Sequence, residues 1–231
     1  MNEARYVLGV LRSLRGIHPR ECNMCGYRGR FRAAGIPPRM DARCPVCSSL
    51  ERHRALALFL RKHPNLCEGD VINFAPDLSI ERLIKPKARR YRSADLFRPG
   101  CDMKLDLEAL DLADASVDLF VLIHLLEHVD DKKALAELHR CLTPGGAVII
   151  MVPLDDSSME TYENEHARNG GDQMRDLHFG QIDHIRYYGA DIRDRIRTAG
   201  FRVEDYHPAP SDSVRYGLGH NQTVFLATKP T

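Results

Sequence analysis

A chain of 231 residues with 43% apolar and 28% charged side chains can bury a sizeable core, which excludes a mini-protein or a disordered tail. No run approaches the roughly 18 apolar residues of a membrane span, and Met1-Asn2-Glu3-Ala4-Arg5 lacks the apolar core of a signal peptide, so a cytoplasmic protein without a membrane partner is expected. The formal charge of +1 hides an asymmetry: residues 1–65 hold 13 Lys and Arg against 4 Asp and Glu, and the remainder holds 20 against 28. A basic N-terminal third either attracts phosphate-rich partners or is a solvated arginine-rich surface.

Val7, Val10, Leu11 and Leu14 recur at helical spacing before Gly16, which predicts a short amphipathic helix over 2–14. Residues 17–49 are rich in Gly, Pro, Arg and Cys with little periodicity, the mark of a small loop-built module that needs a staple. The staple is in the sequence: Cys22, Cys25, Cys44 and Cys47 form C-x2-C-x18-C-x2-C, a zinc-site spacing. Paired cysteines in a chain without a secretion signal favour metal over disulfides. Two residues between thiolates let the backbone bend toward one ion, and the small Gly26 and Ser48 suit the turn after each second ligand. Four thiolates close the tetrahedron, so the expected Zn²⁺ is structural. Cys67, Cys101 and Cys141 are scattered and carry no such signal.

A helix over Leu50–His63 ends before Pro64, and its apolar face of Leu56, Phe59 and Leu60 is expected to cover a sheet. The predicted division is therefore a zinc module over 1–49 and a second domain over 50–231. From Val71 short apolar runs alternate with helical segments: 71–75, 91–94, 103–105, 118–124 and 147–152 as strands, with helices at 77–85 and 130–142. Such alternation predicts a parallel sheet with crossover helices. A polar insertion follows from Asp155 to about Tyr188, then a helix over 191–199 stopped by Gly200. Two last strands, 201–206 and 222–228, are too close for a helical crossover and should pair antiparallel.

Three stretches carry a family likeness: Asp106 to Asp118, rich in acids; Asp118-Leu-Phe-Val-Leu-Ile-His-Leu-Leu-Glu-His128; and Leu142-Thr-Pro-Gly-Gly146. Together they resemble the class I S-adenosylmethionine-dependent methyltransferases, in particular the broad type-11 group, best over 106–153 and in register over about 71–228. The resemblance implies an α/β, doubly wound, mostly parallel seven-stranded sheet with an antiparallel edge strand, preceded here by the zinc ribbon. It also implies S-adenosyl-L-methionine as cofactor. Asp95, about twenty residues beyond the first strand, stands where an open α/β sheet presents an acid to a ribose diol. By resemblance Asp106 accepts from the adenine amino group while Leu107 packs on the ring.

The first loop, Asn73-Phe74-Ala75-Pro76, departs from the family, which has an acid and a glycine-rich turn there. Asn73 can only hydrogen-bond the cofactor's ammonium. Ala75 and Pro76 are expected near the cofactor carboxylate, with the helix start offering partial positive charge. Methyl transfer to oxygen or nitrogen often needs a base, and His124, Glu127 and His128 follow the fourth strand at its carboxyl end. The insertion adds His166, His178, His184, Arg186, Tyr187 and Tyr188. The candidates for catalysis are His124, His128, His178 and His184, with His124 also expected beside the cofactor; a second metal site among these histidines matches no spacing signature. The expected activity is methylation of a small molecule such as a sugar or natural-product intermediate. The alternatives are RNA methylation, docking through the basic module, and a non-enzymatic interaction protein on a degenerate methyltransferase fold.

Overall fold

A computed structural model of the chain describes residues 16, 18–35, 38–219 and 222–231; the helix expected over 2–14 lies outside them. The chain forms two compact units, residues 1–64 with 207–222, and residues 65–206 with 223–231. The division falls beyond the helix at 51–62, which the sequence reading had assigned to the sheet domain.

The first unit is built from two small antiparallel ribbons, β1 (Arg20–Glu21) with β2 (Arg28–Gly29), and β3 (Arg32–Ala34) with β4 (Arg39–Arg43). To these it adds α1 (Glu51–Lys62) and, from far along the chain, α7 (Pro210–Tyr216). Its centre is Arg54, which is 0% exposed. The guanidinium donates to the carbonyls of Ser49, Tyr216 and Gly217 at 2.6, 2.7 and 2.8 Å and to those of Ala42 and Asp41 at 3.1 and 3.3 Å. It also lies over the Phe31 ring, 4.7 Å from the centroid.

The second unit carries a six-stranded sheet in the order β6-β5-β7-β8-β10-β9. Its strands are β5 (Asp70–Phe74), β6 (Arg90–Ala94), β7 (Val117–Ile123), β8 (Leu142–Met151), β9 (Arg202–Tyr206) and β10 (Val224–Thr228). β6, β5, β7 and β8 are mutually parallel. β10 runs antiparallel to both β8 and β9, so the last two strands pair as expected and the reversed strand lies one place in from the edge. β7 and the second half of β8 are near-continuous apolar runs, as expected of parallel strands covered on both faces, whereas β6, Arg-Tyr-Arg-Ser-Ala, is polar and partly exposed.

The seventh strand expected at Met103-Lys104-Leu105 is only a single parallel bridge, Ala94 to Met103. The Asp102 carboxylate accepts from both the amide and the hydroxyl of Ser93, at 2.8 and 2.7 Å, taking a donor that a longer ladder would have used. The chain then turns at Asp106.

The crossover helices α2 (Leu78–Ile84) and α3 (Asp131–Cys141) lie where the periodicity put them. α3 starts on the Asp130 carboxylate and buries Ala134, Leu135, Leu138 and Cys141 along one face. The insertion, predicted only as polar, holds α4 (Glu165–Asn169) and α5 (Asp172–Phe179), and α6 (Ile192–Thr198) matches the predicted final helix.

Candidate active site

The four cysteines meet. Cys22 Sγ lies 3.5 Å from Cys47 Sγ, Cys25 Sγ lies 3.7 Å from Cys44 Sγ, and all four sulfurs fall within 4.8 Å of one another. Thiolates at about 2.3 Å from a tetrahedral zinc are about 3.8 Å apart, so the set fits the ion. Each pair is held by the same device: Gly26 N donates to Cys22 O and Ser48 N to Cys44 O, with Gly26 and Ser48 in left-handed backbone (φ +77° and +60°). The small residues singled out after each second ligand are the ones that make these turns.

Because β5, β6 and β7 are parallel neighbours, the residues that follow them gather at one edge of the sheet: Ala75 after β5, Asp95 after β6 and His124 after β7. Ala75 and His124 are both non-glycine residues with positive φ, +44° and +57°. This conformation costs an L-residue about 1–3 kcal/mol and concentrates at functional sites. Ala75 thus supplies the left-handed turn for which a glycine is usual, anchored by its amide on Ala94 O at 2.9 Å.

Asn73 is fully buried; its amide donates to Tyr91 Oη at 2.9 Å, and its Oδ1 accepts from no group among the described residues. At the start of α2, Asp77 caps the helix, its carboxylate accepting from Ser79 N at 2.7 Å. The sequence reading passed over Arg98, which reaches back to donate to Pro76 O at 2.6 Å. Asp95 Oδ1 accepts from the amides of Phe97 and Arg98, both at 2.8 Å, which leaves Oδ2 open. Asp106 is exposed and holds Glu108 N at 2.9 Å, while Leu107 is buried in the core.

His124 Nδ1 stands 3.4 Å from Glu127 Oε1, with a third of its side chain exposed (33%). Glu127 and His128 form the short 3₁₀ turn Leu126–His128 that follows β7, and His184 comes up from the insertion, its Nε2 4.0 Å from Glu127 Oε1. Glu127 is 0% exposed, yet neither carboxylate oxygen accepts a hydrogen bond among the described residues, and His184 Nδ1 is unpartnered as well. Burial, against the attraction of Glu127, pushes the His184 imidazole below its ordinary pKa.

His178 is placed elsewhere, stacked on Tyr162 with its Nδ1 2.7 Å from Tyr162 Oη, and His166 is exposed on α4. Arg186 and Tyr188, read as acceptor-pocket residues, are buried and fasten the insertion to the turn after β7. Arg186 donates to the carbonyls of Leu126 and Val129 at 2.9 and 2.5 Å and to Glu163 at 2.7 Å, and Tyr188 Oη donates to Asp131 at 3.1 Å. Tyr187 is exposed.

Residues 77–150 match the methyltransferase-domain family. Over 87 residues the chain is 38% identical to malonyl-[acyl-carrier protein] O-methyltransferase of Erwinia billingiae, covering 37% of this chain and 32% of that protein. Over 101 residues it is 31% identical to a probable S-adenosylmethionine-dependent methyltransferase of Mycolicibacterium smegmatis, covering 43% and 34%. The matches thus span about a third of the length of these curated relatives. Among solved structures, an S-adenosylmethionine-dependent methyltransferase from Mesorhizobium loti superposes with a TM-score of 0.53 at 15% identity, over 75% of this chain and 97% of that one. The 1,6-didemethyltoxoflavin-N1-methyltransferase of Burkholderia thailandensis, solved with S-adenosylhomocysteine, gives 0.54 at 19% identity over 78% and 79%. The sheet order and the matched segment agree: the chain has the class I methyltransferase fold, and its residues 77–150 are similar to the methyltransferase-domain family.

Proposed function

We propose that this protein transfers the methyl group of S-adenosylmethionine to a small-molecule acceptor, such as a sugar or natural-product intermediate, and that its four cysteines hold one structural Zn²⁺. The observation that carries the activity is the meeting of the Ala75 turn, Asp95 and His124 at the carboxyl ends of β5, β6 and β7. The cofactor supplies an electrophilic methyl on a sulfonium. Asp95 Oδ2 would accept from the ribose diol and Asp106 from the adenine amino group, with Leu107 beside the ring. Asn73 Oδ1, buried and unpartnered, is an acceptor behind the Ala75 turn. Ala75 and Pro76 shape the backbone that the cofactor passes, and Arg98 offers a charge for its carboxylate.

On the acceptor side His124 is the proton acceptor. Its Nδ1 faces the Glu127 carboxylate at 3.4 Å, and Nε2 is the nitrogen that would take the acceptor's proton. His128 and His184 flank that carboxylate, whereas His178 is engaged with Tyr162.

RNA as the acceptor draws less support, because several arginines of the N-terminal unit are engaged: Arg20 with Asp41, Arg39 with Glu51, Arg215 with Glu21, and Arg54 at its centre. Two similar proteins are named for malonyl-[acyl-carrier protein] and 1,6-didemethyltoxoflavin, neither a nucleic acid. The test is calorimetry with S-adenosylhomocysteine, followed by labelled methyl transfer to small-molecule extracts and to RNA. Binding with labelled small molecules supports the reading. Labelled RNA alone would move it to RNA, and no cofactor binding would end it.

A further inference from the structure

We propose that Glu127, His128 and His184 form a binding site for a divalent transition-metal ion, distinct from the four-cysteine centre. One ligand atom from each lies within 4.8 Å of the other two. Ligands held about 2.0–2.2 Å from one ion are about 3–4.4 Å apart, so the 4.0 Å between Glu127 Oε1 and His184 Nε2 already fits and less than an ångström of closure completes the set. A carboxylate with no exposure and no hydrogen-bond donor on either oxygen is an expensive arrangement, and a cation between it and the imidazoles supplies what is missing.

The surroundings are those of a metal ligand shell. His128 Nδ1 faces the Asp183 carbonyl at 3.1 Å and its carboxylate at 3.5 Å; donating there sets the tautomer that keeps a lone pair on Nε2. The His128 and His184 rings meet edge to face at 4.8 Å. Ile185 N donates to Glu127 O at 2.9 Å, and Arg186 is bonded to the carbonyls of the same turn, so His184 is delivered to the carboxylate by backbone and not by a loose side chain. The three ligands come from the turn after β7 and from the insertion some sixty residues on, which is why no sequence spacing announces them. Two imidazoles and one carboxylate suit Mn²⁺, Fe²⁺, Co²⁺ or Zn²⁺ and leave coordination positions open. Resting on the methyl-transfer reading, those positions would hold the acceptor oxygen or nitrogen and ease its deprotonation beside His124.

The test uses the full chain with zinc in its cysteine site and Mn²⁺ as the probe, since thiolates compete poorly for manganese. Electron paramagnetic resonance should count one bound Mn²⁺ per chain. His128→Ala, His184→Ala and Glu127→Gln should each weaken binding about tenfold or more, while His166→Ala leaves it unchanged. His128 is partly exposed, so its variant keeps the test decisive even if Glu127→Gln fails to fold. Absence of bound Mn²⁺ at millimolar concentration, or binding unaltered in His128→Ala, overturns the site. Calorimetry with S-adenosylhomocysteine on the same sample separates the two ideas: cofactor binding without manganese rejects the metal site alone, and manganese without cofactor binding rejects methyl transfer alone.

Discussion

Replacing Arg54 by methionine should unfold the N-terminal unit under conditions where the sheet unit persists. The guanidinium is fully buried and serves five carbonyls, those of Asp41, Ala42, Ser49, Tyr216 and Gly217. Orphaned buried acceptors cost about 1–3 kcal/mol each, an upper bound of about 5–15 kcal/mol for five. Two effects reduce it: the variant no longer buries a charge, itself worth several kcal/mol, and methionine fills most of the vacated volume. A net loss of about 3–5 kcal/mol remains, a large share of the stability of any small unit. At about 4–8 °C per kcal/mol for a unit of this size class, its transition should fall by about 12–40 °C. Scanning calorimetry reads the shift, and a chromogenic chelator reads the accompanying zinc release. Arg54→Lys, which keeps the charge but not the five-way fork, should recover less than half. A methionine variant that melts within about 3 °C of the parent and holds its zinc would refute the reasoning.

Cys22→Ser combined with Cys44→Ser should remove the zinc equivalent found by native mass spectrometry; full retention would reject the assignment. Asp95→Asn keeps an acceptor for the Phe97 and Arg98 amides while removing the charge, so its loss of S-adenosylhomocysteine affinity, about 1.5–3 kcal/mol or roughly ten- to a hundredfold by calorimetry, isolates the ribose contact from the turn. Burial, and then Lys229, lower the His139 imidazole below the ordinary value of about 6.5. With a depressed folded pKa its contribution is full above pH 6.5 and is lost as pH falls through the lowered value. Melting temperature should therefore drop more steeply from pH 7 to 5 in the parent than in His139→Gln, and parallel profiles would contradict this.

What the sequence determined on its own is what short-range pattern controls. The cysteine spacing and the small residues after each pair specified the thiolate cluster, because ligand loops are local. The apolar runs at 71–75, 118–124 and 147–152 and the amphipathic stretch at 130–142 specified β5, β7, β8 and α3, since burial on both faces of a parallel strand or one face of a helix is written in period. Even α7, passed over in the sequence reading, had its signal in Pro210 at the helix start and Gly217 after its end.

Tertiary structure alone decided the rest. The third predicted strand shrank to one bridge because the Asp102 side chain took a backbone donor. Residues 207–222 joined the four-cysteine unit because Tyr216 and Gly217 offer carbonyls to Arg54. Glu127 met His184 because Arg186 ties the insertion to the turn after β7. Each is a side chain satisfying a polar group far away in sequence, and no period or spacing encodes which distant partner a buried charge will find.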